Sequence, residues 1–169
     1  MYSFYVCHIK GRDSMPRKIL PIVFSIVMLL SACRSNESSS EPQMGNIPPQ
    51  PEVNVNGESI RVYQSSYCWG NTCADYIGPE EMLRDKEKET VLANATIKFR
   101  FEGKQPTEIS LSKYHNGAHS QETINENSFH APEEKGAYYY SLSATWLKDK
   151  EKRISEGSSS YVFVIEVQD

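Results

Sequence analysis

The stretch that most restricts what this chain can fold into is Ala137–Trp146, AYYYSLSATW. Tyr138, Tyr140, Leu142, Ala144 and Trp146 fall on one face, and Tyr139, Ser141, Ser143 and Thr145 on the other. Successive side chains of a strand point to opposite sides of a sheet, so this alternation describes a strand with one buried face. A helical period would scatter the same apolar residues around the axis and leave no continuous stripe.

The same period recurs along the second half of the chain. Residues 96–101 place Ile97, Phe99 and Phe101 together, Ile109 and Leu111 follow after Pro106, and Tyr161, Phe163, Ile165 and Val167 form a last apolar face. Val53–Val55 and Ile60–Tyr63 flank a turn at Asn56-Gly57, and Ile124 with Phe129 marks a weaker element. About seven strands in roughly 115 residues is the expectation for an antiparallel, all-β sandwich of two sheets. The single helical candidate is Pro79–Glu89, where Pro79 suits a first helical position and Glu80-Glu81 suit a helix N-terminus; with only Met82 and Leu83 apolar, a short surface turn or helix is expected there. The charged run from Arg84 to Glu89 reads as a solvated face, and Lys148–Ser160 as a long charged loop between the last two strands.

Glu134-Lys-Gly136-Ala-Tyr138-Tyr-Tyr140 resembles the tyrosine corner of immunoglobulin-like domains. There an acidic residue and a glycine precede a tyrosine entering the penultimate strand, and its hydroxyl bonds back to the corner backbone. The resemblance implies an immunoglobulin-like sandwich over residues 52–169. Tyr140 stands where antibody domains carry a cysteine, which removes the inter-sheet disulfide.

Ahead of this domain, Met15-Pro16-Arg17-Lys18 is basic, and Ile19–Leu30 is a twelve-residue apolar run broken by Pro21 and Ser25. A membrane-spanning helix needs about 20 apolar residues, whereas this length and its basic flank match a secretory signal. Met1–Ser14 mixes aromatics, His8 and Asp13, so a start at Met15 gives a tidier signal; a longer basic region is the alternative. The run closes on Leu30-Ser31-Ala32-Cys33, which resembles the lipobox of bacterial lipoproteins. That resemblance implies a leader over residues 1–32, a diacylglyceryl group on the Cys33 sulfur, and Cys33 as the mature N-terminus. One acyl chain holds a protein only marginally, at about 0.8 kcal/mol per buried CH₂, so stable anchoring takes two. Residues 33–51, Ser- and Pro-rich after Cys33, are expected to form a flexible tether.

Four of the 18 basic and one of the 22 acidic residues precede Cys33, leaving 14 and 21, a net charge of −7. An acidic chain is a poor match to a phosphate backbone, which argues against nucleic acid. With Cys7 in the leader and Cys33 at the lipid site, Cys68 and Cys73 remain. Thiols outside the cytoplasm tend to oxidise, and Gly70-Asn71 between them is turn chemistry, so a Cys68–Cys73 disulfide stapling a hairpin or tight loop is expected.

Ser66-Tyr67-Cys68-Trp69, Asp75, Gly136-x-Tyr138, Trp146 and the Tyr161–Phe163 strand together resemble small lipoproteins of Gram-positive bacteria. This resemblance spans about residues 60–167 and implies a fold and a location on the outer face of the cell membrane. It transfers no catalytic residue.

Chemistry-bearing constellations are sparse. His115, His119 and His130 are the candidates for an envelope metal site or enzyme, but Asn116-Gly117 places the first two about a turn, and the His-Glu-x-x-His pattern is absent. Cys68-x₄-Cys73 with His115-x₃-His119 has too long a gap between pairs for a zinc finger. Nucleophile-elbow, phosphate-loop and dinucleotide motifs are missing. Tyr67, Trp69 and Tyr76, beside the stapled loop, with Asp75 as a polar member, are the expected recognition surface, because loops on rigid scaffolds carry binding function. The expectation is a membrane-anchored, non-enzymatic binding or accessory module, needing no cofactor, for an envelope protein, peptide or polymer.

Overall fold

A computed structural model describes residues 45–169. The leader, the apolar run and Cys33 lie outside the described residues. Among the described residues, no helix is long and apolar enough to cross a membrane.

The described residues run through eleven strands and one helical turn: β1 (Pro51–Val55), β2 (Glu58–Ile60), β3 (Tyr63–Trp69), β4 (Thr72–Ala74), α1 (Pro79–Met82), β5 (Glu89–Leu92), β6 (Thr96–Phe101), β7 (Glu108–His115), β8 (Ala118–Glu122), β9 (Ser128–His130), β10 (Gly136–Asp149) and β11 (Ile154–Gln168). They form an all-β sandwich. One sheet has the order β2-β1-β6-β9; the other has the order β4-β3-β11-β10-β7-β8, with β5 added to β11. All pairings are antiparallel except β5 with β11.

The alternation read from the sequence sets the core. Ile97, Phe99 and Phe101 of β6 face Tyr138, Tyr140, Leu142, Ala144 and Trp146 of β10, and all eight are buried. Trp146 is the hub of one end, with edge-on contacts to Trp69 at 5.0 Å and Phe101 at 5.6 Å. Its indole N–H donates to the Lys104 carbonyl at 2.9 Å, so the polar tip of a wholly buried ring has a partner.

The strand pairings β6–β9 and β7–β10–β11 correspond to the B–E and C–F–G neighbours of an immunoglobulin-like sandwich, and the corner expected at Tyr138 is present. Tyr138 is buried at the start of β10, and its hydroxyl donates to the Glu134 carbonyl at 2.9 Å. Gly136, at φ 140°, is required twice over. Its backbone lies where side chains are disfavoured, and an added Cβ would stand 3.0 Å from Cε1 of His115.

Several expectations need correction. Among the described residues the strands number eleven rather than about seven: β4, β5 and β8 carry almost no buried face and so leave no apolar alternation, and the element expected over Ile60–Tyr63 is two strands, β2 and β3. The short turn or helix expected within Pro79–Glu89 is the single turn Pro79–Met82, but it is not wholly a surface element, because Leu83 turns inward. Leu83 packs on Val162 and Val164, covering the outer face of β11, which is why those two valines are buried opposite the main core. The loop expected over Lys148–Ser160 is mostly strand: β10 extends to Asp149, β11 begins at Ile154, and Ser158–Ser160 pair with Thr145–Ser143. Serines on an outward face satisfy a ladder as well as apolar residues do, but they mimic a loop in sequence.

The segment before β1 also lies on the domain. Trp69 Nε1 donates to the Gly45 carbonyl at 2.9 Å, and the Tyr161 hydroxyl to that of Pro49 at 2.5 Å. A tether free as far as Pro51 was expected; from Gly45 onward the chain is bonded to the sandwich.

Candidate functional site

The β3–β4 hairpin organises the region singled out by the sequence. Gly70, at φ 58°, supplies the positive first angle that a two-residue hairpin turn takes. Such a turn makes Trp69 and Thr72 the closing hydrogen-bonded pair, so Cys68 and Cys73 form the next, non-hydrogen-bonded pair, where strands approach most closely. Their Cα atoms are 4.1 Å apart and their sulfurs are joined. The expected disulfide is present, with both cysteines exposed.

The four residues expected to form a recognition surface are divided by the fold. Trp69 is 5 % exposed and belongs to the core against Trp146, so it is unavailable to a ligand. The cause is strand parity: β11 pairs Gly157 with Trp69 and Gly157 opposes Trp146, which puts Trp69 on the inner face. Tyr67, two residues earlier, leans to the same side and is half-buried. Asp75 is exposed, and Tyr76 is 52 % exposed with Ile77 beside it at 55 %. The Tyr76 N–H donates to Ser66 Oγ at 3.0 Å, which fixes this segment to β3.

Tyr67 and Asp75 meet again at a shallow depression of about 190 Å³, lined also by Ser66, Thr145, Ser158 and Ser160. Sequence reasoning missed these hydroxyls. Ser66 comes from β3, Thr145 from β10 and Ser158 and Ser160 from β11, the last three on the outward positions of the alternation that buries Tyr140 and Tyr161. The Ser143 and Ser160 hydroxyls bond each other at 3.1 Å across the two strands. The signal was the outward Ser-x-Ser pattern in each strand, read in β10 as a polar face and in β11 as part of a loop. The surface offers hydroxyls that both donate and accept, one carboxylate, and an aromatic–aliphatic rim at Tyr76-Ile77.

The three histidines are not brought together. His115 and His119 sit on one hairpin with opposite parity, since His115 pairs with Ala118 and His119 with Tyr114, and His130 lies on β9 of the other sheet. His115 is committed to structure. Its Nδ1–H donates to the Ala137 carbonyl at 2.8 Å, its Nε2 accepts from Asn116 at 2.9 Å, and its ring stacks on Tyr138 at 4.2 Å. That set of partners corresponds to the neutral ring with its proton on Nδ1. His119 stacks on Tyr114 at 5.8 Å, and His130 donates to the Asn94 carbonyl at 3.2 Å. Among the described residues, no group of three or more His, Cys, Asp or Glu is gathered closely enough to hold a metal ion.

The perturbed ionisations are structural. Burial pushes the Tyr138 and Tyr140 hydroxyls above their usual range and that of Tyr161 to about 12. At the surface, the Glu108 carboxyl is held below its usual range by hydrogen bonds from the Arg153 guanidinium, at 2.7 and 3.0 Å. None of these groups faces the depression beside Asp75. In comparisons with protein-family models, with curated proteins and with solved structures, the chain matches none.

Proposed function

We propose that this chain is an extracytoplasmic lipoprotein, held to the cell membrane through Cys33, whose sandwich acts as a non-enzymatic binding or accessory module for an envelope protein, peptide or polymer. The observation that carries the anchor is the order of segments: basic start, short apolar run, Leu30-Ser31-Ala32-Cys33, then a polar stretch and a β domain. The Cys68–Cys73 disulfide supports an oxidising location. Binding is assigned to Asp75 and Tyr76, exposed just after β4, and to the neighbouring serine–threonine depression on the strands beside them.

Cys33→Ser tests the anchor. The variant is expected in the soluble fraction or retained unprocessed, without metabolic lipid label; labelled, processed protein from this variant would sink the reading. The surface is tested with arrays of envelope peptides and polymers probed with the intact chain. Asp75→Ala and Tyr76→Ala are expected to reduce any specific binding at least 10-fold with unchanged thermal stability. Binding indifferent to both changes would move the site elsewhere.

A further inference from the structure

Strands that end a sheet expose unpaired backbone groups, and proteins blunt them with short length, Lys, Pro, bulges or covering segments. At the edges of this sandwich β2, β4 and β9 are three residues long and β5 is four. β8 is five residues, Ala-His-Ser-Gln-Glu, with no Lys or Pro and an unbroken register against β7. Its one acid, Glu122, is engaged by Lys113 at 2.7 Å.

The turn fixes which backbone groups are free. Asn116 and Gly117 both have positive φ, 51° and 76°, the mark of a type I′ two-residue hairpin turn. The closing pair His115–Ala118 is therefore hydrogen-bonded, and alternation makes Lys113–Ser120 and Leu111–Glu122 hydrogen-bonded as well. His119 and Gln121 consequently direct their N–H and C=O groups away from β7.

We propose that β8 is the contact of a two-fold symmetric homodimer, formed when the β8 strands of two copies pair antiparallel about Ser120. Such an axis sets His119 opposite Gln121 of the second copy, and Gln121 opposite its His119. These are the residues whose backbone groups are free, so four hydrogen bonds form with none left over on the shared edge. Ser120 meets Ser120 as a non-hydrogen-bonded pair, and Ala118 meets Glu122, so no like charges are opposed. The interface is self-complementary, as a two-fold contact requires. One five-residue edge buries well under the roughly 1,000 Å² of a stable interface, so the dimer is weak and reversible in dilute solution. The pairing does not rest on the membrane reading; confinement to one surface would raise the effective concentration and favour it.

The test is cross-linking of the purified full chain carrying Ser120→Cys under mild oxidation. Opposed Cα atoms of a non-hydrogen-bonded pair lie about 4.5 Å apart, within disulfide reach. Covalent dimer is expected at least 10-fold above the parent and above Ser110→Cys, an exposed position on β7. Adding Gln121→Pro, which removes an outward N–H, is expected to return the yield to background with unchanged tryptophan emission. Should that variant misfold, Ala118→Glu and Ala118→Lys read the register through charge, the first lowering cross-linking and the second raising it. Cross-linking equal to Ser110→Cys, or charge variants that shift it the same way, would overturn the proposal. So would cross-links in membranes to a different protein without homodimer, which would assign the edge to a foreign strand.

Discussion

Tyr138 and Tyr140 occupy the same face of β10, two residues apart, and removing one oxygen from each should move stability in opposite directions. The Tyr138 hydroxyl donates to the Glu134 carbonyl at 2.9 Å. Tyr138→Phe deletes that bond, whose net worth is about 1 kcal/mol, and loosens the corner. Among the described residues, the Tyr140 hydroxyl is buried without a hydrogen-bond partner. A buried hydroxyl in that state costs about 1–3 kcal/mol, against the loss of a few dispersion contacts of about 0.1–0.2 kcal/mol each when the oxygen goes. Tyr140→Phe keeps the ring stacked on Phe163 at 5.1 Å and tilted on Phe129 at 5.0 Å. It should therefore stabilise the domain by about 1 kcal/mol, and the two variants should differ by about 2 kcal/mol. Urea unfolding with unchanged slope is the assay, and about 3–5 °C in Tm per kcal/mol is the thermal equivalent for a domain of this size. If Tyr140→Phe destabilised as Tyr138→Phe does, the hydroxyl would have a partner, and the reading of the core around it would fail.

Gly136→Ala should destabilise by about 1–3 kcal/mol through its positive φ and the contact with His115; His115→Ala in the same chain should recover the contact's share, read as coupling in a double-mutant cycle. Replacing Cys68 and Cys73 together by serine should cost about 2 kcal/mol at most, because a separation of five residues closes a small loop that the ladder already holds; loss of folding at room temperature would contradict this. The domain should unfold as pH rises beyond 10. Tyr138, Tyr140 and Tyr161 keep their protons to higher pH when folded, so the native state binds more protons than the unfolded one above pH 10 and stability falls there. Tyrosinate absorbance and circular dichroism should change together, and reversible titration of all eight tyrosines of the domain without unfolding would refute it.

Where a residue's side chain has one buried face to declare, the sequence was readable. The strands at 96–101 and Ala137–Trp146 appear as expected because one sheet face is dry and the other wetter, and Tyr161–Val167 because its apolar run is long, with Val162 and Val164 burying its second face as well. The tyrosine corner was legible for a related reason, since glycine, tyrosine and their spacing are all demanded by one backbone geometry. β8 and the Ser158–Ser160 part of β11 were not, because their pairing is made by backbone groups that every residue carries. Trp69 was misread for a subtler reason. A tryptophan beside a stapled turn looks exposed in sequence, and only the pairing of β3 with β11 decides that it points inward. The serine–threonine depression combines side chains some 80 residues apart, which no local pattern announces.

β11 sits between β10 on one side and both β3 and β5 on the other. β3 emerges from the ribosome roughly a hundred residues before this partner, and β5 has no neighbour at all until Ile165–Gln168 arrive. Within the larger sheet β10, β7 and β8 pair with one another directly, but β3 and β5 must wait for the last strand to slot between them and β10. Pairings of such long sequence separation form slowly. The sheet is thus closed by its final strand, and β3 and β5 join β10 only once that strand is free.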